Sequence, residues 1–200
     1  MVVTYRLMRT SASPLLPLLR SEVQGELLAL LLLHPDESWS VTALSNTIGR
    51  PVQSVQREVA RLAAAGIVTE QRTGNIKYVS ANTDTPLYRP LAELMAVTYG
   101  PEPVLRGLIE TIPATDEAYI YGSWAARRAG EPGPVPLDVD VIVIGAVPLS
   151  TLDDVAERAE ASLHRPVHIR RISREDWDAA ATPFIGEIKS RPLIPLRSAL

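Results

Sequence analysis

The chain has 200 residues and no cysteine, with 46% hydrophobic residues, 22% charged residues and a formal net charge of −3. This composition provides enough apolar side chains for globular cores, so it excludes disordered and fibrous classes. The lack of cysteine excludes disulfides, thiolate metal sites and thiol catalysis, and it fits a reducing compartment, so we expect a cytoplasmic protein.

Residues 15–33 are predicted to form a long amphipathic helix, because Val23 and the leucines recur at three- and four-residue spacings. Its last part, Leu27–Leu33, is apolar all round. We expect this part to be buried on more than one side, against its own domain and against a second subunit. The run is far shorter than the ~20 residues of a membrane helix, and we expect no membrane association and no export signal.

Two short helices and a β-hairpin are predicted next. Ser40 is suited to cap the first helix, which would point Val41, Leu44 and Ile48 inward. After a turn at Gly49, the second helix opens with Pro51 and ends at Gly66, with Val52, Val55, Val59 and Leu62 as its inward residues. The hairpin spans residues 67–79 with its turn at residues 73–75.

Residues 22–82 resemble the winged helix-turn-helix of ArsR-like and MarR-like bacterial regulators. The resemblance rests on the segments ALSNTIG, VQSVQREVARLAAAGIV and EQRTGNIKYV taken in order. It implies a transcriptional regulator that binds double-stranded DNA. We expect a homodimer formed through the first helix and the helix near residues 86–98.

The outward face of the third helix and the wing supply the expected DNA contacts. Glutamine and arginine are typical base-reading side chains, while arginine and lysine near a wing typically meet phosphates. The outward residues are Gln53, Ser54, Gln56, Arg57 and Arg61, and the phosphate-contacting residues are Arg50, Arg72 and Lys77. The alternative is an ordinary solvated helix face, since Glu58 and Glu70 dilute the positive charge.

The second half of the chain has a different pattern of predicted secondary structure. Residues 86–112 predict two helices separated by Gly100-Pro101, and from residue 116 strands alternate with helices. We therefore predict a winged-helix domain over residues 1–85 and a helical connector or dimerisation segment over residues 86–115. Residues 116–200 would form an α/β domain with a small mixed sheet and a helical C-terminal region.

Two short motifs in this α/β domain have the chemistry of a metal-nucleotide site. Gly122 and Ser123 lie between a strand and a helix, where backbone N–H groups are suited to meet a phosphate. Asp138 and Asp140 are two apart on the next predicted strand, so both carboxylates would lie on one face and offer the oxygen ligands that Mg²⁺ prefers. The alternative is that the aspartates cap a strand end and Gly-Ser is a turn.

The segment GSWAARRAGEPGPVPLDVDVIVIG resembles the Gly-Ser and Asp-x-Asp signature of the DNA polymerase β-like nucleotidyltransferase superfamily, in its small form. The resemblance implies that Gly122 and Ser123 contact a nucleoside triphosphate and that Asp138 and Asp140 bind Mg²⁺. It also implies that Arg127 or Arg128 pairs with phosphates.

Active members of that superfamily carry a third carboxylate on the following strand, and here the matching position is at or near His168. Either His168 acts as a base or weak ligand, or it is a packing residue. We therefore expect a nucleotide-binding domain with weak or no turnover. The alternatives are an active enzyme that transfers a nucleoside monophosphate to a protein, nucleic-acid or small-molecule hydroxyl, and a protein-interaction module.

Overall fold

The computed structural model describes residues 18–198. Within that range the chain forms two compact units, residues 18–100 and residues 101–198. Each unit contains helices and one small sheet. None of the helices in the described range is long and apolar enough to cross a membrane.

The first unit has the layout of a winged helix. Its elements in chain order are α1 (Glu22–Leu33), β1 (Trp39–Ser40), α2 (Val41–Ile48), α3 (Val52–Ala64), β2 (Val68–Thr73), β3 (Ile76–Ala81) and α4 (Tyr88–Tyr99). The strands form an antiparallel sheet in the order β1-β3-β2. The predicted helix-turn-helix and hairpin are therefore confirmed.

Local side chains set the helix boundaries. The hydroxyl of Ser40 accepts a hydrogen bond from the Ala43 amide at 3.1 Å, so α2 begins where the sequence predicted. The hydroxyl of Ser21 accepts from the Gln24 amide at 3.2 Å and caps α1 in the same way. Helix α1 is thus shorter than the predicted 15–33, because residues 18–20 form a turn; residues 15–17 lie outside the described residues.

The core of the first unit surrounds α1. Every leucine of Leu27–Leu33 is buried within this unit, where α1 packs against α4 and α3. The expected contact of this segment with a second subunit is therefore wrong, because its apolar residues are already covered by the unit itself. Gly25 allows the close approach of α4: a Cβ at this position would lie 2.1 Å from the Tyr99 hydroxyl oxygen.

Helix α3 departs from the predicted pattern at two positions. Val55, Val59 and Leu62 are buried as predicted. Val52, predicted to point inward, is 43% exposed, as are its neighbours at positions 51 and 53. Glu58, predicted to face outward, is only 7% exposed. One of its carboxylate oxygens accepts a hydrogen bond from Arg61, which offsets part of the cost of burying the charge.

The second unit is an α/β fold with a mixed sheet, as predicted. Its elements are α5 (Pro101–Ile109), β4 (Thr115–Tyr121), α6 (Gly122–Arg128), β5 (Val139–Gly145), α7 (Leu149–Leu163), β6 (Val167–Ile172), α8 (Arg174–Asp178), α9 (Pro183–Ser190) and β7 (Ile194–Arg197). The strand order is β6-β5-β4-β7. Strands β5 and β6 are parallel and joined through α7, while the other pairs are antiparallel.

Two segments of the chain differ from expectation. The C-terminal region, predicted to be helical, ends in β7, which pairs with β4 at the sheet edge and there accommodates Pro195. The segment 86–115, predicted as one connector, is divided: α4 lies in the first unit, and α5 lies in the second.

One face of the sheet brings the polar residues of three strands into rows. Strand pairing aligns Tyr121, Asp140 and His168 in one row, and Tyr119, Ile142 and Arg170 in the next. Ile142 and Ile144 of this face pack against Trp177 of α8 and against Ile185 and Ile188 of α9. The chain therefore places a polar row at the open end of an otherwise apolar face.

Candidate functional site

The outer face of α3 presents the side chains expected to read DNA. Gln53, Gln56, Arg57 and Arg61 are exposed, and Ser54 is half-buried. Arg61 is ion-paired with Glu58, whereas Arg57 has only a long 3.5 Å contact between its Nη2 and the Ser54 Oγ. The guanidinium of Arg57 is therefore available to an outside acceptor.

The wing carries two cations near its tip. Arg72 on β2 lies opposite Lys77 on β3 in the strand register. The Nζ of Lys77 lies 2.9 Å from a carboxylate oxygen of Glu70, so this charge is already matched. Arg72 is exposed and forms no ion pair with any residue of the described range.

Arg50, in the turn before α3, is held by two carboxylates. Its Nε donates to Glu26 at 2.9 Å, and its Nη2 donates to Glu22 at 2.7 Å. These hydrogen bonds, above all those with Glu26, raise the pKa of Arg50 well above its usual value. A signal for this pairing is present in the sequence, since Glu22 and Glu26 are four apart and so share one face of α1.

The predicted acidic residues come together at the start of β5 and β6. Asp140 lies beside His168 in the parallel register, and Asp138 immediately precedes β5 rather than lying within it. The Nε2 of His168 is 3.9 Å from a carboxylate oxygen of Asp138, and both side chains are substantially exposed, at 62% and 46%. The three residues thus border one solvent-accessible site.

Gly122 completes this site from the end of β4. Its backbone has a φ of 71°, a conformation that favours glycine. A Cβ built at this position would lie 2.8 Å from the Oδ2 of Asp140. A side chain at position 122 would therefore crowd the Asp140 carboxylate, and glycine avoids this contact.

The electrostatics of Asp140 reflect this crowding. Partial burial and the neighbouring charge of Asp138 raise the pKa of the Asp140 carboxyl, while His168 and Arg170 oppose the rise. A positive ligand is the natural complement of such a carboxylate pair.

Arg170 is a site residue that the sequence analysis did not single out. It follows His168 by two positions, so it lies on the same face of β6, and this period-two spacing was the signal available. Its guanidinium carbon lies 4.7 Å from the centre of the Phe184 ring. It also faces the Tyr121 hydroxyl, where it opposes the rise in pKa that burial of that group causes.

The side chains around Asp138 and Asp140 determine whether this site could hold Mg²⁺. Among residues 18–198 no cluster of three acidic or histidine side chains is arranged to hold a metal ion. Mg²⁺ is commonly bound by one or two carboxylates, with phosphate oxygens and water completing its shell. Asp138 and Asp140 therefore fit a Mg²⁺ ion that arrives with a nucleotide, and they do not form a site enclosed by protein ligands alone.

The other residues predicted to contact a nucleotide are Ser123, Arg127 and Arg128, and they differ in how accessible their side chains are. Ser123, next to Gly122, is exposed, and so is Arg128 at the other end of α6. The Nη1 of Arg127 donates to the Glu131 carbonyl at 2.6 Å, and the guanidinium lies against Gly133, so this side chain holds the loop that follows α6. Of the two arginines, Arg128 is the one left free to meet a phosphate.

Arg165 is a buried residue that contacts two segments of the site, and the sequence analysis did not single it out. Arg165 is 7% exposed, and its guanidinium lies 4.9 Å from the centre of the Trp124 ring on α6. It also donates a hydrogen bond to the Pro136 carbonyl, two residues before Asp138. Arg165 therefore links the helix that follows Gly122 to the loop that leads to the aspartates.

Comparisons with known proteins concern the N-terminal part of the chain. No protein-family model and no curated protein sequence matches this chain. Among solved structures, it is similar to reduced HlyU of Vibrio cholerae, with 19% identity over 38% of this chain and 76% of that one and a TM-score of 0.33. The adhesin competence repressor AdcR of Streptococcus pyogenes matches at 16% identity over 38% and 55%, with a TM-score of 0.33.

ZitR of Lactococcus lactis matches at 16% identity over 39% of this chain and 51% of that one, with a TM-score of 0.32. This chain thus covers about three quarters of HlyU but only about half of AdcR and ZitR.

Proposed function

We propose that the protein is a transcriptional regulator that binds double-stranded DNA through α3 and the wing. The observation that carries the proposal is that α3 exposes Gln53, Gln56 and Arg57 on one surface while the hairpin beyond it exposes the unpaired Arg72. In a winged helix, such a helix enters the major groove, and a cationic wing meets the phosphate backbone.

The ion pairs within the protein indicate which cations should contribute most to the affinity for DNA. Arg57 and Arg72 bind DNA without breaking an existing ion pair, so they are the principal cations of the proposed interface. Arg50, Arg61 and Lys77 each hold a carboxylate, and a contact of any of them with phosphate would require that pair to open. We therefore assign them a smaller share of the affinity.

Selection of bound duplexes from a random pool, followed by fluorescence anisotropy with the full chain, tests this proposal. Arg57→Ala is expected to cost about 1–3 kcal/mol on the selected sequence and to relax its preference. Arg72→Ala is expected to weaken all duplexes alike and to reduce the salt dependence. Arg89→Ala, an exposed arginine on α4, is the matched control. Absence of DNA binding at low salt would refute the proposal.

We propose as a second function that the α/β unit binds a nucleoside triphosphate with Mg²⁺. The supporting observation is the approach of Gly122 to Asp140, with Asp138 and His168 beside them. Backbone N–H groups after Gly122, together with Ser123 and Arg128, would hold phosphates. Asp138 and Asp140 would hold the Mg²⁺, which supplies charge neutralisation for the triphosphate when it is bound.

We expect this unit to bind nucleotide with weak or no turnover. The row that contains Asp140 continues into His168, and the next residue on that face is Arg170, so no third carboxylate is available there to take a hydroxyl proton. The alternative remains a nucleotidyltransferase that modifies a hydroxyl of a protein, nucleic acid or small molecule. In a regulator without turnover, the nucleotide would serve as an effector.

Thermal denaturation with Mg·ATP and Mg·GTP tests nucleotide binding, because a ligand that binds only the folded state raises the Tm. Replacing Asp138 and Asp140 together by Asn is expected to abolish the shift, whereas Asp153→Asn and Asp154→Asn on α7 are expected to retain it. His168→Asp tests turnover: a gain in labelled-nucleotide transfer would show that only a carboxylate is missing. Transfer by the unchanged protein at enzyme-like rates would favour the alternative.

A further inference from the structure

The turn between α7 and β6 fixes the backbone of one arginine, Arg165. His164 ends α7 in the left-handed region, with a φ of 53°, and its amide donates to the Glu160 carbonyl at 2.8 Å. The Glu160 carboxylate also accepts a hydrogen bond from the Val167 amide, at 2.9 Å, where β6 begins. Pro166 limits the remaining freedom, because its ring fixes φ. The chain is therefore held on both sides of Arg165.

The side chain of Arg165 contacts two separate segments inside the α/β unit. It is 7% exposed, with its guanidinium carbon 4.9 Å from the centre of the Trp124 ring, and its Nη1 donates to the Pro136 carbonyl. Trp124 is also 7% exposed and belongs to α6. Since burial of a charged group is costly unless its neighbours match it, these contacts restrict where α6 and Pro136 can lie.

Asp138 lies between two residues that this turn holds. Pro136, two residues earlier, accepts the hydrogen bond from Arg165. Val139, the next residue, donates its amide to the Pro166 carbonyl at 2.9 Å. Because Arg165 and Pro166 are consecutive, a single turn anchors the chain on either side of Asp138.

Strand pairing alone does not fix the two halves of the proposed nucleotide site. The last aligned pair of β4 and β5 at this end is Tyr121 with Asp140. Gly122 and Ser123 continue beyond it into α6, and Asp138 lies beyond it on the other strand. A ligand that must meet both segments binds better when they are already placed, because ordering them on binding costs affinity.

We propose that Arg165 is a positioning residue, which holds α6 and the segment around Asp138 at a fixed separation. The inference rests on the nucleotide-binding function proposed above, although the restraint on the Asp138 segment is measurable without a ligand. The guanidinium is needed for its shape as well as its charge. Its flat plane covers the Trp124 ring while an N–H at its edge reaches the Pro136 carbonyl.

Arg165→Met tests the proposal, because methionine cannot donate to the Pro136 carbonyl, and folds often tolerate apolar replacements of buried charged groups. The full chain is followed by amide hydrogen exchange without ligand and by calorimetry with Mg·ATP. We expect the Val139 amide to exchange roughly tenfold faster, while the Val143 amide, in the middle of β5, keeps its protection. We expect the affinity for Mg·ATP to fall roughly tenfold.

Lys189→Met is the matched control. The Nζ of Lys189 lies 4.7 Å from the centre of the Trp177 ring and donates to the Trp177 carbonyl, so the same two kinds of contact are removed at α8 and α9. We expect it to leave the Val139 exchange and the Mg·ATP affinity unchanged. Arg165→Lys keeps the charge without the flat guanidinium, and we expect it to recover only part of the affinity.

The proposal is overturned if Arg165→Met leaves the Val139 exchange unchanged or if Lys189→Met causes the same losses. Full recovery by Arg165→Lys would also overturn it, because charge alone would then suffice. If neither Arg165 variant folds, the arginine is required for the core and the positioning role is refuted. Absence of Mg·ATP binding by the unchanged chain would refute the nucleotide proposal, and the Val139 exchange would still decide the positioning role.

Discussion

The backbone of Gly122 lies directly against the carboxylate of Asp140, so that a Cβ at position 122 would be 2.8 Å from Oδ2. This contact brings the two predicted motifs, Gly-Ser and Asp-x-Asp, into direct relation. The contact joins the end of β4 to the start of β5, which strand pairing aligns at Tyr121 and Asp140.

Gly122→Ala is the most direct test of this contact. The new methyl group would crowd Asp140, and the left-handed backbone would cost about 1 kcal/mol for a residue other than glycine. We expect a lower Tm and loss of the Mg·ATP-induced shift. Gly130→Ala is the matched control, because Gly130 also has a positive φ, of 95°, but has no atom within 4 Å of a built Cβ. Equal loss of the nucleotide response in both variants would contradict a specific role for Gly122.

Asp140→Asn is expected to stabilise the protein without ligand at neutral pH. Because burial and Asp138 raise the pKa of Asp140, the folded state binds its proton more tightly than the unfolded chain does. The resulting stability is present at low pH and is lost as the pH rises from the unfolded pKa through the folded one. The gain in Tm from the substitution should therefore appear above this window and vanish below it.

Denaturation scans from pH 3 to pH 8 measure this effect, at roughly half-unit steps across the range where carboxyl groups titrate. Asp153→Asn, at an exposed position on α7, serves as the control for removal of one negative charge. A pH-independent change in Tm for Asp140→Asn would contradict the raised pKa of the Asp140 carboxyl in the folded state.

Gly25→Ala is expected to destabilise the first unit although alanine favours helices. A Cβ at position 25 would lie 2.1 Å from the Tyr99 hydroxyl oxygen, so either the buried Tyr99 ring or the two helices would have to move. Overpacking of this kind typically costs about 1–3 kcal/mol. Gly186→Ala on α9 provides the contrast, because a Cβ there meets no atom within 4 Å, and there the helix preference of about 1 kcal/mol should raise the Tm. A higher Tm for Gly25→Ala would contradict the close packing of the two helices.

We expect a homodimer that uses the outer face of α4 rather than Leu27–Leu33. Leu87, Leu94 and Val97 are 51%, 42% and 46% exposed, and their spacings of seven and three residues place them on one face at α4. Such a stripe is costly to leave in water, and a second copy of it would cover it through a symmetric contact.

Light scattering at tens of micromolar should report a dimer for the unchanged chain and a monomer for Leu94→Glu. Leu149→Glu on α7, at a position that is 60% exposed, is the control and should leave the assembly unchanged. A monomeric unchanged chain would refute the expected dimer and would remove the two-fold symmetry that a palindromic operator requires.

Much of the fold was predictable because short-range patterns carry it. The caps Ser40 and Gly49, the three-four spacing of Val55, Val59 and Leu62 and the turn at Gly74 determine local structure within a few residues of themselves. The mixed sheet followed from alternating apolar strands separated by helical segments. These features depend on the chain's own periodicity, so the sequence by itself determined them.

The tertiary structure decided which charges are already matched and which apolar residues are already covered. Arg50 is paired with acids of α1 from 24 and 28 positions earlier, and Leu27–Leu33 is enclosed by α4, from beyond the wing. Arg170 joined the acidic site only because the parallel register of β5 and β6 places it one row from Asp140. Such contacts depend on how distant segments pack, and no local periodicity encodes the partner that a side chain finally meets.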